Sequence, residues 1–216
     1  RTAWLFFILF GITNHSCSDY LDIVPDNIAT IEMAFNMRSE AKKYLYTCYS
    51  YLPQDGNLGS DPAIMGGDEM WSLINPNPAQ FGQEMFQIGL GYQNPNNPIG
   101  NANWVNLYQA LRHCNIFLEN ADRVPDLPDW EKKLWKAEAI FLKAYYHFYL
   151  VRMYGPIPII KENLPIDTGV DAVKVSRDPV DDCFDYIVEL LDEAMIDLPL
   201  IIDNPTSDMG RITKPI

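Results

Sequence analysis

Histidine and cysteine are scarce, three and four in 216 residues. His15, His113 and His147 are scattered, and none stands with a serine or cysteine in a nucleophile motif, so nothing supports a hydrolytic triad. There is no CxxC. The one close His–Cys pair is His113–Cys114, whose side chains would point about 100° apart on a helix, which does not suit zinc. Asp19, Asp22 and Asp26 lack the register of a calcium loop, so no metal is expected. GxGxxG and GxxxxGK[ST] are both missing, strands do not alternate with helices, and no nucleotide or other cofactor is expected. Basic residues are few, 16 against 29 acidic, giving a net charge of −13. Such a surface argues against nucleic acid, whose phosphates require positive contact faces, and against simple electrostatic adhesion to anionic lipid. Low-charge ligands such as neutral sugars remain open.

What is present is globular. Hydrophobic residues make up 48% and charged residues 21%, which excludes a largely disordered chain. Residues 1–17 read RTAWLFFILFGITNHSC: a positive flank, an apolar run from Ala3 to Ile12, then small and polar residues before Cys17. That run suits a signal-peptide core and falls far short of the ~20 residues that span a bilayer. A Cys directly after such a run suggests a bacterial lipoprotein acylated at Cys17, with residues 18–216 as the mature domain; the alternative is an ordinary secretory signal with an incidental Cys.

Four helices are predicted from apolar residues recurring at three to four residue steps. The first is 39–52, with Ser39 as N-cap and Pro53 as stop. The second, 104–122, places Trp104, Leu107, Tyr108, Leu111, Asn115, Leu118 and Ala121 on one face. The third, 130–154, carries two apolar stripes, one through Phe141, Ala144 and Phe148 and one through Trp135, Ala139, Tyr146 and Tyr149. Such a helix must lie between neighbours. Its remaining strip, Lys132, Lys136, Lys143 and His147, reads as a solvated face. The fourth starts at Asp178-Pro179, read as N-cap plus proline at the first helical position, and Pro199 ends it. Cys48, Cys114 and Cys183 fall on these stripes and are expected to be buried, inert thiols rather than a disulfide or metal site.

Residues 53–103 differ: Gly, Pro and Asn are dense, and no helical period survives. Long loops of this kind are often functional. The fold class read from these patterns is mainly α, a tetratricopeptide-like helical-repeat (α/α superhelical) scaffold with a long irregular loop insertion. Ala137-x3-Phe141 and Ala144-x3-Phe148 carry the repeat grammar, in which a small residue admits the neighbouring helix and an aromatic fills the groove one turn later.

Five segments, in order, resemble the SusD/RagB family: SCSDYLDIVPDN (16–27), WVNLYQALRHCNIFLEN (104–120), KAEAIFLKAYYHFYLVRMYGPIPII (136–160), SRDPVDDCFDYIVELLDEAMIDLP (176–199) and GRITK (210–214). Lys143 departs from the arginine common in the third. The resemblance implies a lipid-anchored, outer-membrane nutrient-binding protein on the extracellular side of a Bacteroidota cell. Its partners would be an oligosaccharide or polysaccharide and a SusC-like TonB-dependent outer-membrane transporter, and it would not be an enzyme. The family continues beyond GRITK into further helices and a variable lobe, so the chain is expected to be the N-terminal part.

Sugar rings present apolar C–H faces to aromatic rings and hydroxyls to amides and carboxylates, and the 53–103 loop supplies both. Trp71 is the expected stacking platform, with Asp68, Glu69 and Asn75 as hydroxyl partners and Tyr92 as a second platform. The alternative is that Trp71 packs the loop onto the helices. Adjacent Asp68 and Glu69 do not suit a glycoside hydrolase, whose carboxylates must straddle a bond at about 5–10 Å separation. A docking module without sugar affinity and a secreted hydrolase are the competing readings.

Overall fold

The apolar periodicity becomes helix in the computed structural model, which describes residues 30–56, 61–68, 85–96, 98–165, 168–169, 171 and 173–214. Two units divide the chain, Arg1–Ile31 and Glu32–Ile216, and the helical body is the second. The proposed signal segment, Cys17 included, lies outside the described residues. The elements are α1 (Ile31–Ala34), α2 (Arg38–Tyr49), α3 (Pro62–Met65), α4 (Phe86–Gly89), α5 (Asn101–Asn120), α6 (Asp129–Tyr154) and α7 (Val180–Asp197). A single 3-10 turn at Ala121–Arg123 follows α5, and there is no strand among the described residues, so the fold is mainly α as expected. No described helix is long and apolar enough to cross a membrane.

Helix α6 is the centre because its sequence leaves it no dry side to expose. Trp135, Ala139, Leu142, Tyr146 and Tyr149 are buried on one stripe, and Ala137, Ala144 and Val151 on the other. Each large apolar side chain so buried contributes about 1.5–3 kcal/mol. Helices α5 and α6 run antiparallel, since the Tyr154 hydroxyl at the end of α6 donates to the Gly100 carbonyl at the start of α5. Helix α2 runs alongside α6 in the same direction: Arg38 pairs with Glu131 near one end, and the Tyr146 hydroxyl donates to the Cys48 carbonyl near the other. Helix α7 covers the opposite flank, with Tyr186 edge-on to His147 at 5.3 Å between ring centres.

Several expectations change. The helix read as 39–52 is Arg38–Tyr49, and Met37 rather than Ser39 is its N-cap. It ends before Pro53, with the Ser50 hydroxyl donating to the Thr47 carbonyl at 2.7 Å. Phe148, expected in the core, is 38% exposed; in α7 Phe184 is 42% exposed, and the buried stripe runs through Cys183, Tyr186, Ile187, Leu190 and Ala194. The strip read as a solvated face of α6 is half covered. Lys132 and Lys136 pair with Asp129 and Asp122, but Lys143 and His147 are buried, at 4% and 1% exposure. The reason is the passage after Gly155, which turns back over α6: Lys143 Nζ donates to the Lys161 carbonyl, and the Ile160 N–H donates to His147 Nε2. Burial lowers the Lys143 ammonium below its ordinary value. Cys48, Cys114 and Cys183 are free and buried, as read from their stripes.

Within 53–103, periodicity gave no helix, yet two one-turn helices form. In α3, Asp61 caps the Ala63 N–H at 2.8 Å with Pro62 at the first helical position. Met65, Met85, Phe86 and Ile99 then bury one another in a small second core that meets Met153 of α6.

Candidate functional site

The end of the long loop is fastened where α5 begins and α6 ends. Gly100 opens α5 at φ +73°, and a Cβ there would lie 3.0 Å from Met85 Cε and 3.2 Å from Met153 Cε. Both the left-handed backbone and the closeness of the methionines therefore demand glycine. The Gln93 side-chain oxygen accepts the Ile99 N–H at 2.6 Å and ties Gln93, Asn94 and Pro95 to Pro98 and Ile99 as one lobe. The Asn94 side chain shapes the tip, accepting from the Asn96 N–H at 3.1 Å and donating to the Tyr92 carbonyl at 3.3 Å.

Between this lobe and the helix ends runs an open groove of about 620 Å³. One wall is Gln93, Asn94, Pro95 and Pro98; the other is Trp104 and Val105 of α5 with Met153 and Tyr154 of α6. Arg177, in the passage leading to α7, completes the lining, and no carboxylate is among the described residues that line it. Size and composition are those of a small-molecule site: mostly apolar, with a few polar groups.

Trp104 is half-buried, with Tyr108 at 4.9 Å, Tyr154 at 5.1 Å and 81°, and the Arg177 guanidinium 5.2 Å over its ring. The Tyr108 hydroxyl donates to the Pro158 carbonyl at 3.0 Å, which locks the stack to the returning chain. Trp104 thus joins core and groove, where sequence periodicity assigned it to the core alone. Arg177 donates from Nη1 to the carbonyls of Tyr154 at 3.1 Å and Pro156 at 2.9 Å, so its side chain is held in place.

Of the residues expected to bind sugar, Tyr92 stands immediately before the groove lobe and is 64% exposed, as a stacking platform requires. Asp68 is exposed just beyond α3. Glu69, Trp71 and Asn75 lie outside the described residues. Sequence reasoning missed Gln93, Asn94, Val105, Met153, Tyr154 and Arg177. The first two sit in the very loop singled out for its amides; the others come from helix ends and a connection, which no local pattern brings together.

A second cleft, of about 590 Å³, lies on the α7 side and gathers Glu162, Asp178, Asp182, Asp185 and Glu189 around Tyr186. Among the described residues no three His, Cys, Asp or Glu side chains are placed to hold a metal ion. The Asp178 carboxylate is engaged by the Ile159 N–H at 2.8 Å.

The chain belongs to the SusD-like family: the sequence model of that family described as "Starch-binding associating with outer membrane" matches residues 19–214. SusD-like protein P25 of Formosa agariphila is 24% identical over 220 residues, covering 96% of this chain and 39% of that protein. Among solved structures, a SusD-like protein from Bacteroides fragilis superimposes with a TM-score of 0.68 at 21% identity, covering 86% of this chain and 35% of the other. A laminarin-binding SusD-like protein gives 0.69 at 22% identity, covering 83% and 38%. The chain therefore spans about two fifths of the length of its curated relative, and the structural likenesses establish the fold.

Proposed function

We propose that this chain is a cell-surface glycan-binding lipoprotein that captures oligosaccharides without cleaving them and delivers them to a SusC-like TonB-dependent outer-membrane transporter. The observation that carries the reading is the groove beside Tyr92: an apolar wall with an aromatic edge, amides opposite, and no carboxylate in its described lining. Apolar C–H faces of a sugar lie on such a wall while hydroxyls reach the Gln93 and Asn94 amides, and no step calls for proton transfer. Membership of a family described as starch-binding supports it, as does the likeness to a protein that binds laminarin.

Retardation of the purified chain in native gels containing different polysaccharides tests the reading. Tyr92 is exposed, so Tyr92→Ala leaves the fold intact and is expected to weaken binding of the retained glycan about tenfold. Trp71→Ala tests the other proposed platform in the same gels. A folded chain that no polysaccharide retards sinks the proposal, and release of new reducing ends would replace it with a hydrolase.

The anchor has its own test. Cys17→Ser is expected to abolish incorporation of radiolabelled fatty acid in cells, and persistence of label refutes acylation at that residue. A pure docking role is favoured by one observation, the exposed Phe184, Val188 and Ile196 along α7. Co-purification with the transporter by a chain that binds no sugar would select that role.

A further inference from the structure

Arg177 is an unusual lining residue for a chain of net charge −13. It is the one charged side chain among the described residues of the groove. Its position is fixed on three counts: Nη1 is spent on two backbone carbonyls, at 3.1 and 2.9 Å, and the guanidinium carbon sits 5.2 Å from the centre of the Trp104 ring. The opposite edge, Nε with Nη2, has no hydrogen-bond partner among the described residues, and the side chain is exposed. No described carboxylate comes within ion-pairing distance, and Asp178 next in sequence is turned to the Ile159 N–H. The outcome is a two-pronged donor, pre-set in direction and not neutralised, at the wall of an otherwise uncharged groove.

We infer that the groove selects glycans bearing uronic acids, with the Nε–Nη2 edge of Arg177 gripping the sugar carboxylate. The inference rests on the glycan-binding reading above and names its substrate class. A planar carboxylate matches the spacing of those two N–H groups and is held by two charge-assisted hydrogen bonds. Because Nη1 already ties the guanidinium down, little side-chain entropy is lost when the ligand arrives. The acidic surface elsewhere, including the α7 cleft, where five carboxylates outnumber the single Lys161, disfavours the same polymers, which singles out the unpaired Arg177 edge as a place for their carboxylates. The pyranose ring of the uronate would lie along Pro95, Pro98 and Val105, and its hydroxyls would meet Asn94 and Gln93.

The test is calorimetric titration of the full chain in detergent with oligosaccharides from alginate, polygalacturonate and glucuronate-containing polymers. Each is paired with its carboxyl-reduced, neutral counterpart, and neutral laminarin oligosaccharides are included. At least one acidic member is expected to bind about tenfold or more tighter than its reduced partner. That preference should fall to within about twofold in Arg177→Gln, and Arg177→Lys should keep only part of it because a point charge cannot make the bidentate grip. Circular dichroism checks that both variants stay helical. Equal binding within every pair, or a preference that survives Arg177→Gln, overturns the inference and leaves glycan binding standing. No binding of any acidic or neutral member by a folded chain overturns both.

Discussion

Arg211→Met lowers the stability of the folded chain by about 3–5 kcal/mol at neutral pH, because it strands a carboxylate inside the protein. Glu138 of α6 is 1% exposed. Its carboxylate is met by Arg211 Nη2 at 2.5 Å and Nε at 3.3 Å, and by the Tyr49 hydroxyl at 2.6 Å. Arg211 also reaches Asp208 at 3.3 Å, and the Ile212 N–H donates to the Tyr49 oxygen at 3.3 Å. The GRITK segment is thereby stapled to helices α2 and α6 from more than seventy residues away in the chain.

The pH dependence separates this cause from lost packing. Burial raises the Glu138 carboxyl above its ordinary value, against the opposing pull of Arg211 and Tyr49. A raised carboxyl contributes stability that is fully present below its unfolded value and is lost as pH rises through the folded one. Removing Arg211 takes away the main opposing pull and moves the folded value higher still. The deficit of Arg211→Met relative to the parent should therefore be largest near pH 7 and shrink as pH falls to 4, where Glu138 takes up a proton. Urea unfolding across that range reads it, and a deficit independent of pH refutes the stranded-charge account.

His147 gives the second large effect, with the opposite sign. Its Nδ1 faces the Lys143 carbonyl at 2.8 Å and must donate; its Nε2 faces the Ile160 N–H at 3.2 Å and must accept. Only the neutral ring satisfies both. Burial, aided by the Lys143 charge and opposed by the bond to the Lys143 carbonyl, lowers its pKa to about 4. The unfolded ring titrates near 6.5, so the group's stabilisation is complete above that value and is lost as pH falls through about 4. The loss amounts to about 2 kcal/mol by pH 5 and about 3 kcal/mol at pH 4. Protonation would also detach Ile160, and with it the passage that covers α6. His147→Gln is expected to remove this part of the pH dependence whatever its own stability; a profile as steep as the parent's refutes the assignment.

The two acid–proline pairs show how far local pattern carries. Asp61-Pro62 and Asp178-Pro179 carry the same helix-start signal, and both precede helices. At Asp61 the side chain caps α3. At Asp178 it leaves the helix and takes the Ile159 N–H, and Pro179 becomes the cap residue. The difference lies in the passage around Ile159, nineteen residues upstream, with which no local signal communicates. The polar strip of α6 failed for the same reason: Lys143 and His147 read as a wet face because nothing nearby in sequence says that residues 157–161 will lie over them.

By itself the sequence determined the mainly α class, the extents of α5 and α6 within a few residues, the buried thiols and the family. Those properties follow from short-range periodicity, helix breakers and motif order, each carried by residues close together in the chain. Only the tertiary structure decided which polar groups are dry and what forms the groove. Glu138 with Arg211, and Trp104 with Tyr154 and Arg177, meet at separations of 73, 50 and 73 positions along the chain. Burial and charge pairing act through space, so their outcome depends on where helix ends and connections meet after packing, which periodicity along the chain does not encode.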